Sequence, residues 1–354
     1  MYRRINSCLS LLAVLSVLFT GCASAAQPPK TDGTVSVRVG YLLADLHHIG
    51  YLVASDPEAG GGVSFYEQNG VIVQDALGAP YANGGVVMDH FASGDVDIAF
   101  LGAPPAITKH LNAGVNTEIV AQVNTIGSAL VVGPDIQKPE DLLGKTVAVP
   151  GHAAIQFFLL LNFAQQHSLD IGQITVVDMP PPDMRVKLES GEISGFLAWE
   201  PWPSDAIVAG AGKVMATSTD IWPNHLDCVL AVDRTFAEEN PEAVRQFLNA
   251  HIAATAWMQD ALADPDLKEY KHLVDLAETF TQRDAVVVEE AFNNIAYQSA
   301  LDTDFLDSIR TYTSKLIEFG LIPQAKLSER GYTDPNDFVS KYVNVTFIEG
   351  LGTP

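Results

Sequence analysis

Between Val35 and Tyr41 every second residue is apolar, with Ser36, Arg38 and Gly40 in the intervening positions. Period two puts the apolar set on one face of an extended chain, so this segment predicts a strand. A short helical stretch over His48 to Ala54 follows, stopped by Pro57 and Gly60-Gly61-Gly62. Val71 to Val73 predicts a second strand, Gly84-Gly85 opens a helix running to Ser93, and Val96 to Leu101 is a compact apolar strand. Pro104 suits the first turn of a further helix, because its fixed φ and missing N–H cost nothing there. Glu118 to Val123 and Ala129 to Val132 are strands again. This alternation predicts an α/β fold class with largely parallel sheets.

One device occurs twice. Ser93-Gly94-Asp95-Val96-Asp97-Ile98-Ala99-Phe100-Leu101-Gly102-Ala103-Pro104 aligns with Ser190-Gly191-Glu192-Ile193-Ser194-Gly195-Phe196-Leu197-Ala198-Trp199-Glu200-Pro201. Each copy reads as a helix end, an acidic turn, a buried strand and a Pro-initiated helix. Three of the twelve positions are identical, so the argument rests on the shared pattern, which predicts two lobes built alike. Ligands of open α/β sheets gather at the carboxyl ends of strands, and two such ends facing each other form a cleft.

From Arg234 onward the pattern turns helical. Asn240-Pro241-Glu242 opens a helix with Val244, Phe247, Leu248, His251, Ile252 and Thr255 at helical spacing. Leu267 to Phe280, Asp284 to Ser299 and Phe305 to Phe319 continue the rhythm, and Asp334-Pro335-Asn336 caps a last short helix. These are packing elements.

The amino terminus bears on the compartment. Arg3 and Arg4 precede an apolar run from Leu9 to Phe19 and then Gly21-Cys22-Ala23, the layout of a secretory signal peptide. That run is shorter than the about 20 residues of a spanning helix. Phe19-Thr20-Gly21-Cys22 resembles a prokaryotic lipobox, which makes Cys22 the expected lipidated residue and residues 22–33 a polar tether. Cleavage near Ala23-Ser24-Ala25-Ala26, giving a freely secreted protein, is the other reading. Of three cysteines only Cys228 remains in the body, so no disulfide, and no CxxC metal or redox motif, is expected there. Net charge is −23, and −25 once the two arginines leave; such a surface disfavours nucleic acid and anionic lipid as partners.

Five stretches in one order carry a family resemblance: Val39-Gly40-Tyr41-Leu42 with His47-His48; Ala92 to Ala99 with Gly102 to Ala106; Lys138 to Gly151; Trp199-Glu200-Pro201-Trp202; and Asp227 to Val232 with Asn240-Pro241-Glu242. Together they resemble the periplasmic solute-binding proteins of ABC importers for nitrate, sulfonates, taurine and bicarbonate, a group that also includes binders of thiamine-pyrimidine precursors. The resemblance implies a two-lobed periplasmic-binding-protein-like fold (type II), with residues 34–126 as the first lobe, 127–227 as the second, and 228–354 returning to the first with C-terminal helices. It implies a small-molecule ligand between the lobes and an ABC permease and ATPase complex as partner. Where the family commonly has Ser or Thr after Val149-Pro150-Gly151, this chain has His152-Ala153-Ala154.

The implied cleft takes its candidates from both lobes. Gly102-Ala103 and His152-Ala153 are the expected helix N-termini, each offering unpaired N–H groups and a partial positive charge worth about 0.3–1 kcal/mol. Asp45, His47, His48, Ser128 and Gln156 are expected around them. Trp199 and Trp202 either stack on a planar ligand or close the lobe interface, while Glu200 and Asp227 are carboxylates able to hold an ammonium. The ligand expected first is a small anion, then a zwitterion such as taurine, then an aromatic heterocycle. The body lacks HExxH, GxSxG, a Walker loop and a GxGxxG after a strand, so a non-catalytic binder without cofactor or metal is expected. A sensor lipoprotein without a transporter stays open.

Overall fold

The computed structural model describes residues 35–351; the signal segment, Cys22 and the 22–33 tether lie outside the described residues. The strands are β1 (Val35–Gly40), β2 (Val71–Asp75), β3 (Ile98–Gly102), β4 (Thr117–Gln122) and a short β5 (Asn124–Thr125). Then come β6 (Ser128–Val132), β7 (Thr146–Val149), β8 (Thr175–Asp178), β9 (Gly195–Trp199) and β10 (Lys213–Thr217). β11 (Cys228–Asp233) and β12 (Ala296–Tyr297) complete the set. They form two five-stranded sheets, ordered β2-β1-β3-β11-β4 and β8-β7-β9-β6-β10, and β12 pairs with β5. Each larger sheet has one antiparallel strand, β11 or β6, in the same place; the other neighbours run parallel.

The repeated device is the structural centre of both sheets. β3 and β9 occupy the middle position, and their bounds correspond residue for residue in the alignment of the two sequence copies. Gly94 and Gly191 both close the preceding segment with positive φ, +77° and +75°, a conformation that pushes the Cβ of an L-residue too close to the following carbonyl oxygen. Asp97 donates its N–H to the Arg38 carbonyl and accepts from Asp233 N–H; Ser194 does the same with Thr146 and Gly133. Twelve residues with little identity therefore perform the same backbone work twice. In the first copy Asp97 also binds the Arg38 guanidinium and backbone N–H from a buried position.

Burial on both faces explains the apolar runs. Val37, Val39, Ile98 and Phe100 point into a core shared with the helix Pro241–Ala263. Ala99 and Leu101 point the other way, into a core shared with the helices Ala103–Ala113 and Thr303–Glu318. No helix among the described residues is long and apolar enough to cross a membrane.

One expected helix is shorter than its pattern. The segment Asp284 to Ser299 is helical only over Ala285–Phe292. Asn294 leaves the helix to donate its side-chain N–H to Glu200 Oε1 at 2.8 Å, and Ala296–Tyr297 pairs with Asn124–Thr125. Long-range partners override the local period there.

A Cβ at Gly94 or Gly191 meets nothing within 4 Å, so only the backbone conformation resists substitution. Gly94→Ala and Gly191→Ala should each lower unfolding free energy by about 1–2 kcal/mol in urea titrations of the two variants, with no larger cavity or clash effect.

Candidate ligand cleft

Leu42 follows β1, Gly102 ends β3, Trp199 ends β9 and Ala154 follows β7, and all four border one cavity with Asp45, His47, Gln156, Asp227 and Cys228. The cavity measures about 20 Å³, room for about one water. It lies where the two lobes meet, at the carboxyl ends of strands, as the open-sheet rule expects.

The chain crosses between the lobes twice, and the crossings pair with each other. Ile126 N–H bonds the His225 carbonyl, Asp227 N–H bonds the Asn124 carbonyl, and Val123 N–H bonds the Cys228 carbonyl. Side chains reinforce this: Asn124 Oδ1 accepts from Cys228 N–H and Tyr312 donates to the Leu226 carbonyl at 2.6 Å. Further bonds tie the first lobe to the second. His47 Nε2 donates to the Gly127 carbonyl at 3.0 Å, and Leu46 N–H to the Glu200 carbonyl at 3.1 Å. Gly127 has φ +104°, and a Cβ there would stand 2.2 Å from His47 Nε2, so glycine is required by both backbone and contact.

Charge at this junction is concentrated and buried. Asp45, His47, His48, Glu200 and Asp227 are each no more than 1% exposed. Asp45 caps a short 3₁₀ turn by accepting His47 N–H at 3.0 Å. His47 Nδ1 lies 3.5 Å from both Asp45 Oδ1 and Asp227 Oδ1, and His48 Nε2 lies 3.7 Å from Asp45 Oδ2. Burial pushes the Asp45 carboxyl up to about 7, with His47 pulling the other way. Burial pushes His47 down, but Asp227 and then Asp45 outweigh it and hold the imidazole at about 9. His48 is a different case. Its Nδ1 accepts Leu42 N–H at 3.1 Å, its ring lies 5.7 Å from Phe100, and burial holds it well below its ordinary value. Both histidines are interior.

The helix N-termini divide sharply. At Gly102–Ala103 the expected donors are not available: Ala103 N–H bonds the Asp227 carbonyl, and the next two residues are prolines without an N–H. The helix Ile155–Gln166 begins after Ala154 with no side-chain cap, so its first N–H groups are left to face the cavity edge. His152, expected as a donor, is exposed; its Nδ1 meets Asp178 on the surface and its ring lies 4.4 Å from Phe157. Ala153 is not among the lining residues.

Glu200 and Ser128 border a second cavity of about 420 Å³. Glu200 Oε1 accepts from Asn294 and Oε2 from Ser204 N–H, while burial first of all raises this carboxyl to about 7. Gln156 Nε2 donates to Ser128 Oγ at 3.0 Å, linking the rims of the two cavities. Trp199 lines the inner cavity with its Nε1 buried and unpartnered. Trp202 does not; its ring packs under the Arg283 guanidinium, 4.5 Å away, and seals the lobe interface. The structure adds Cys228, whose sulfur lies 3.8 Å from His47 Nδ1 and 3.3 Å from Asp227 Oδ1. A lone cysteine in an apolar strand gives no sequence signal for that role. Asn294 was likewise hidden inside a helical pattern.

The NMT1-like family model matches residues 61–270. The chain belongs to the NMT1-like family. It is 32% identical over 203 residues to the taurine-binding periplasmic protein of Escherichia coli (strain K12), covering 56% of this chain and 61% of that one. The chain thus spans under two thirds of that relative. Two solved structures share the fold: the alkanesulfonate-binding protein SsuA from Xanthomonas axonopodis pv. citri bound to MOPS (TM-score 0.67, 16% identity, 85% of this chain and 96% of that one) and the nitrate-binding protein NrtA from Synechocystis PCC 6803 (TM-score 0.69, 18% identity, 91% and 90%). The periplasmic-binding-protein fold follows, and relatives of this family member are substrate-binding components of ABC importers.

Two outcomes follow from the junction. Gly127→Ala should lower stability by about 2–4 kcal/mol, measured by urea unfolding, because Cβ and His47 cannot both keep their places. His47 is held up at about 9 against an ordinary 6.5; a raised folded-state value means its stabilisation is whole below about pH 6.5 and is lost as pH rises through about 9. Melting temperature should therefore fall across that alkaline window, and His47→Gln should flatten the fall.

Proposed function

We propose that this protein captures a small zwitterion carrying both an ammonium and a sulfonate, the taurine class, outside the cytoplasm and delivers it to an ABC permease and ATPase complex. The observation that carries the reading is the polarity of the inner cavity. Asp45 and Asp227 stand at one side, and Asp227 Oδ2 is buried with no hydrogen-bond partner. The uncapped start of the helix Ile155–Gln166 stands at another. An ammonium suits the first, since a buried carboxylate oxygen without a partner is costly, and a sulfonate suits the second. A bare anion such as nitrate would leave the carboxylates unmatched, which moves the zwitterion ahead of the simple anion. The similarity to the taurine-binding relative supports the same class. Residue Cys22 as a lipidated anchor, and the envelope as location, belong to this reading.

The cavity admits a ligand only when the lobes part, and hinge motion of this kind is a known mode of periplasmic binding proteins. The crossing segments 123–128 and 225–228 are the hinge in this proposal, and the His47–Gly127 and Leu46–Glu200 bonds are contacts that opening must break. Such a cycle needs no covalent chemistry, and the protein is read as a non-catalytic carrier. Trp199 Nε1, buried without a partner, favours a planar heterocycle as the second reading.

Asp227→Asn should weaken taurine by about 1.5–3 kcal/mol, the loss of one charge-assisted bond, and leave propanesulfonate unchanged. Calorimetric titration of both ligands into both proteins checks this. Equal taurine affinity in the two proteins would refute the ammonium role, and pyrimidine binding with no sulfonate binding would favour the heterocycle.

A further inference from the structure

We infer that Asp45, His47 and Cys228 form a transition-metal site of the zinc class within the cleft, with Asp227 as the nearest fourth donor. The inference goes beyond the amino-sulfonate reading and does not need it. The donor atoms are one carboxylate oxygen, one imidazole nitrogen and one sulfur, all within 4.8 Å of one another and all on buried residues. His47 Nδ1 lies 3.5 Å from Asp45 Oδ1 and 3.8 Å from Cys228 Sγ. Asp227 Oδ1 lies 3.5 Å from the same nitrogen and 3.3 Å from the same sulfur. Zinc bonds of about 2.0–2.1 Å to nitrogen or oxygen and about 2.3 Å to sulfur imply donor–donor edges of about 3.3–3.6 Å in a tetrahedron. Most of these separations fall near that range. The two 3.5 Å nitrogen–oxygen separations are too long for strong charge-assisted hydrogen bonds, which run about 2.7–2.9 Å, while the thiol donates to Asp227 Oδ1 in the metal-free state.

Two independent features point the same way. His47 gives its Nε2–H to the Gly127 carbonyl, the outer bond that fixes the tautomer of a metal-binding imidazole and turns the other nitrogen toward the ion. Asp227 Oδ2 is buried and has no partner, so the cluster has acceptor capacity left over. Two carboxylates and a potential thiolate face one imidazole, an excess of negative charge that a divalent cation neutralises. Coordination through Nδ1 and Sγ releases two protons to solvent, one from the His47 imidazolium, which keeps its Nε2–H on the Gly127 carbonyl, and one from the Cys228 thiol. His48, although adjacent in sequence, spends Nδ1 on Leu42 N–H and reaches the cluster only through Nε2, 3.7 Å from Asp45 Oδ2. A mixed nitrogen, oxygen and sulfur set suits zinc or cobalt over magnesium or calcium.

Titration of the full chain with Co²⁺ alone tests the site, because a cobalt–thiolate bond gives a near-ultraviolet charge-transfer band. The expected result is a band saturating at one equivalent, displaced by Zn²⁺, abolished by Cys228→Ser and kept by Cys22→Ser. Asp45→Asn should weaken Zn²⁺ by at least about tenfold. Taurine, if it binds, should compete with Zn²⁺ for the same carboxylates. A band unchanged in Cys228→Ser, or binding without any sulfur band, overturns the site. Melting curves of Cys228→Ser and Cys228→Ala separate loss of the ligand from loss of the fold. Metal binding without taurine binding leaves this inference standing and refutes only the amino-sulfonate reading.

Discussion

The junction between the lobes must hold three carboxylates and the His47 and His48 imidazoles away from solvent, and the surrounding structure is arranged to make that tolerable. An isolated buried carboxylate would lose several kcal/mol of hydration. Glu200 is met by Asn294 and Ser204, Asp45 by the His47 backbone, and His47 in turn by both aspartates and the Gly127 carbonyl. What remains unmatched, chiefly Asp227 Oδ2, is the residual capacity that a cation, whether ammonium or metal, would fill. Structure and binding here draw on the same unbalanced charge.

The near-duplication of the lobes gives this junction its shape. β3 and β9 sit in the centre of equivalent sheets and aim their carboxyl ends toward one point. The strands entering the sheets after the crossings, β6 and β11, begin at Ser128 and Cys228, opposite Trp199 and Gly102. Equivalent positions thus carry unlike chemistry: a hydroxyl bonded to Gln156 in one lobe and a thiol beside His47 in the other. The shared pattern sets the frame, and the strand ends bring Asp227, Cys228 and the start of the helix Ile155–Gln166 to one cavity.

Gly127 shows how narrow the tolerances are. Its carbonyl accepts from His47 Nε2 and from Glu200 N–H, joining both lobes at one atom within a crossing segment. The missing Cβ lets the imidazole approach. Replacement by any L-residue would separate the lobes at the place where their charges are coupled.

By itself the sequence determined the alternation of strands and helices, the two copies of the Ser-Gly device and the two-lobed α/β class, because period and turn chemistry are local properties. It also named Asp45, His47, Gln156, Trp199 and Asp227, each of which borders the inner cavity. Tertiary structure alone decided that His152 lies on the surface with Asp178, that Trp202 packs under Arg283, and that the Asp227 carbonyl takes the Ala103 N–H, whereas the missing donors of Pro104 and Pro105 were legible in the sequence. It alone brought Cys228 and Asn294 into the junction. Apart from the His152–Asp178 pair, 26 residues apart, those outcomes depend on partners more than fifty residues away, and no window of sequence encodes the distance between a thiol at residue 228 and an imidazole at residue 47.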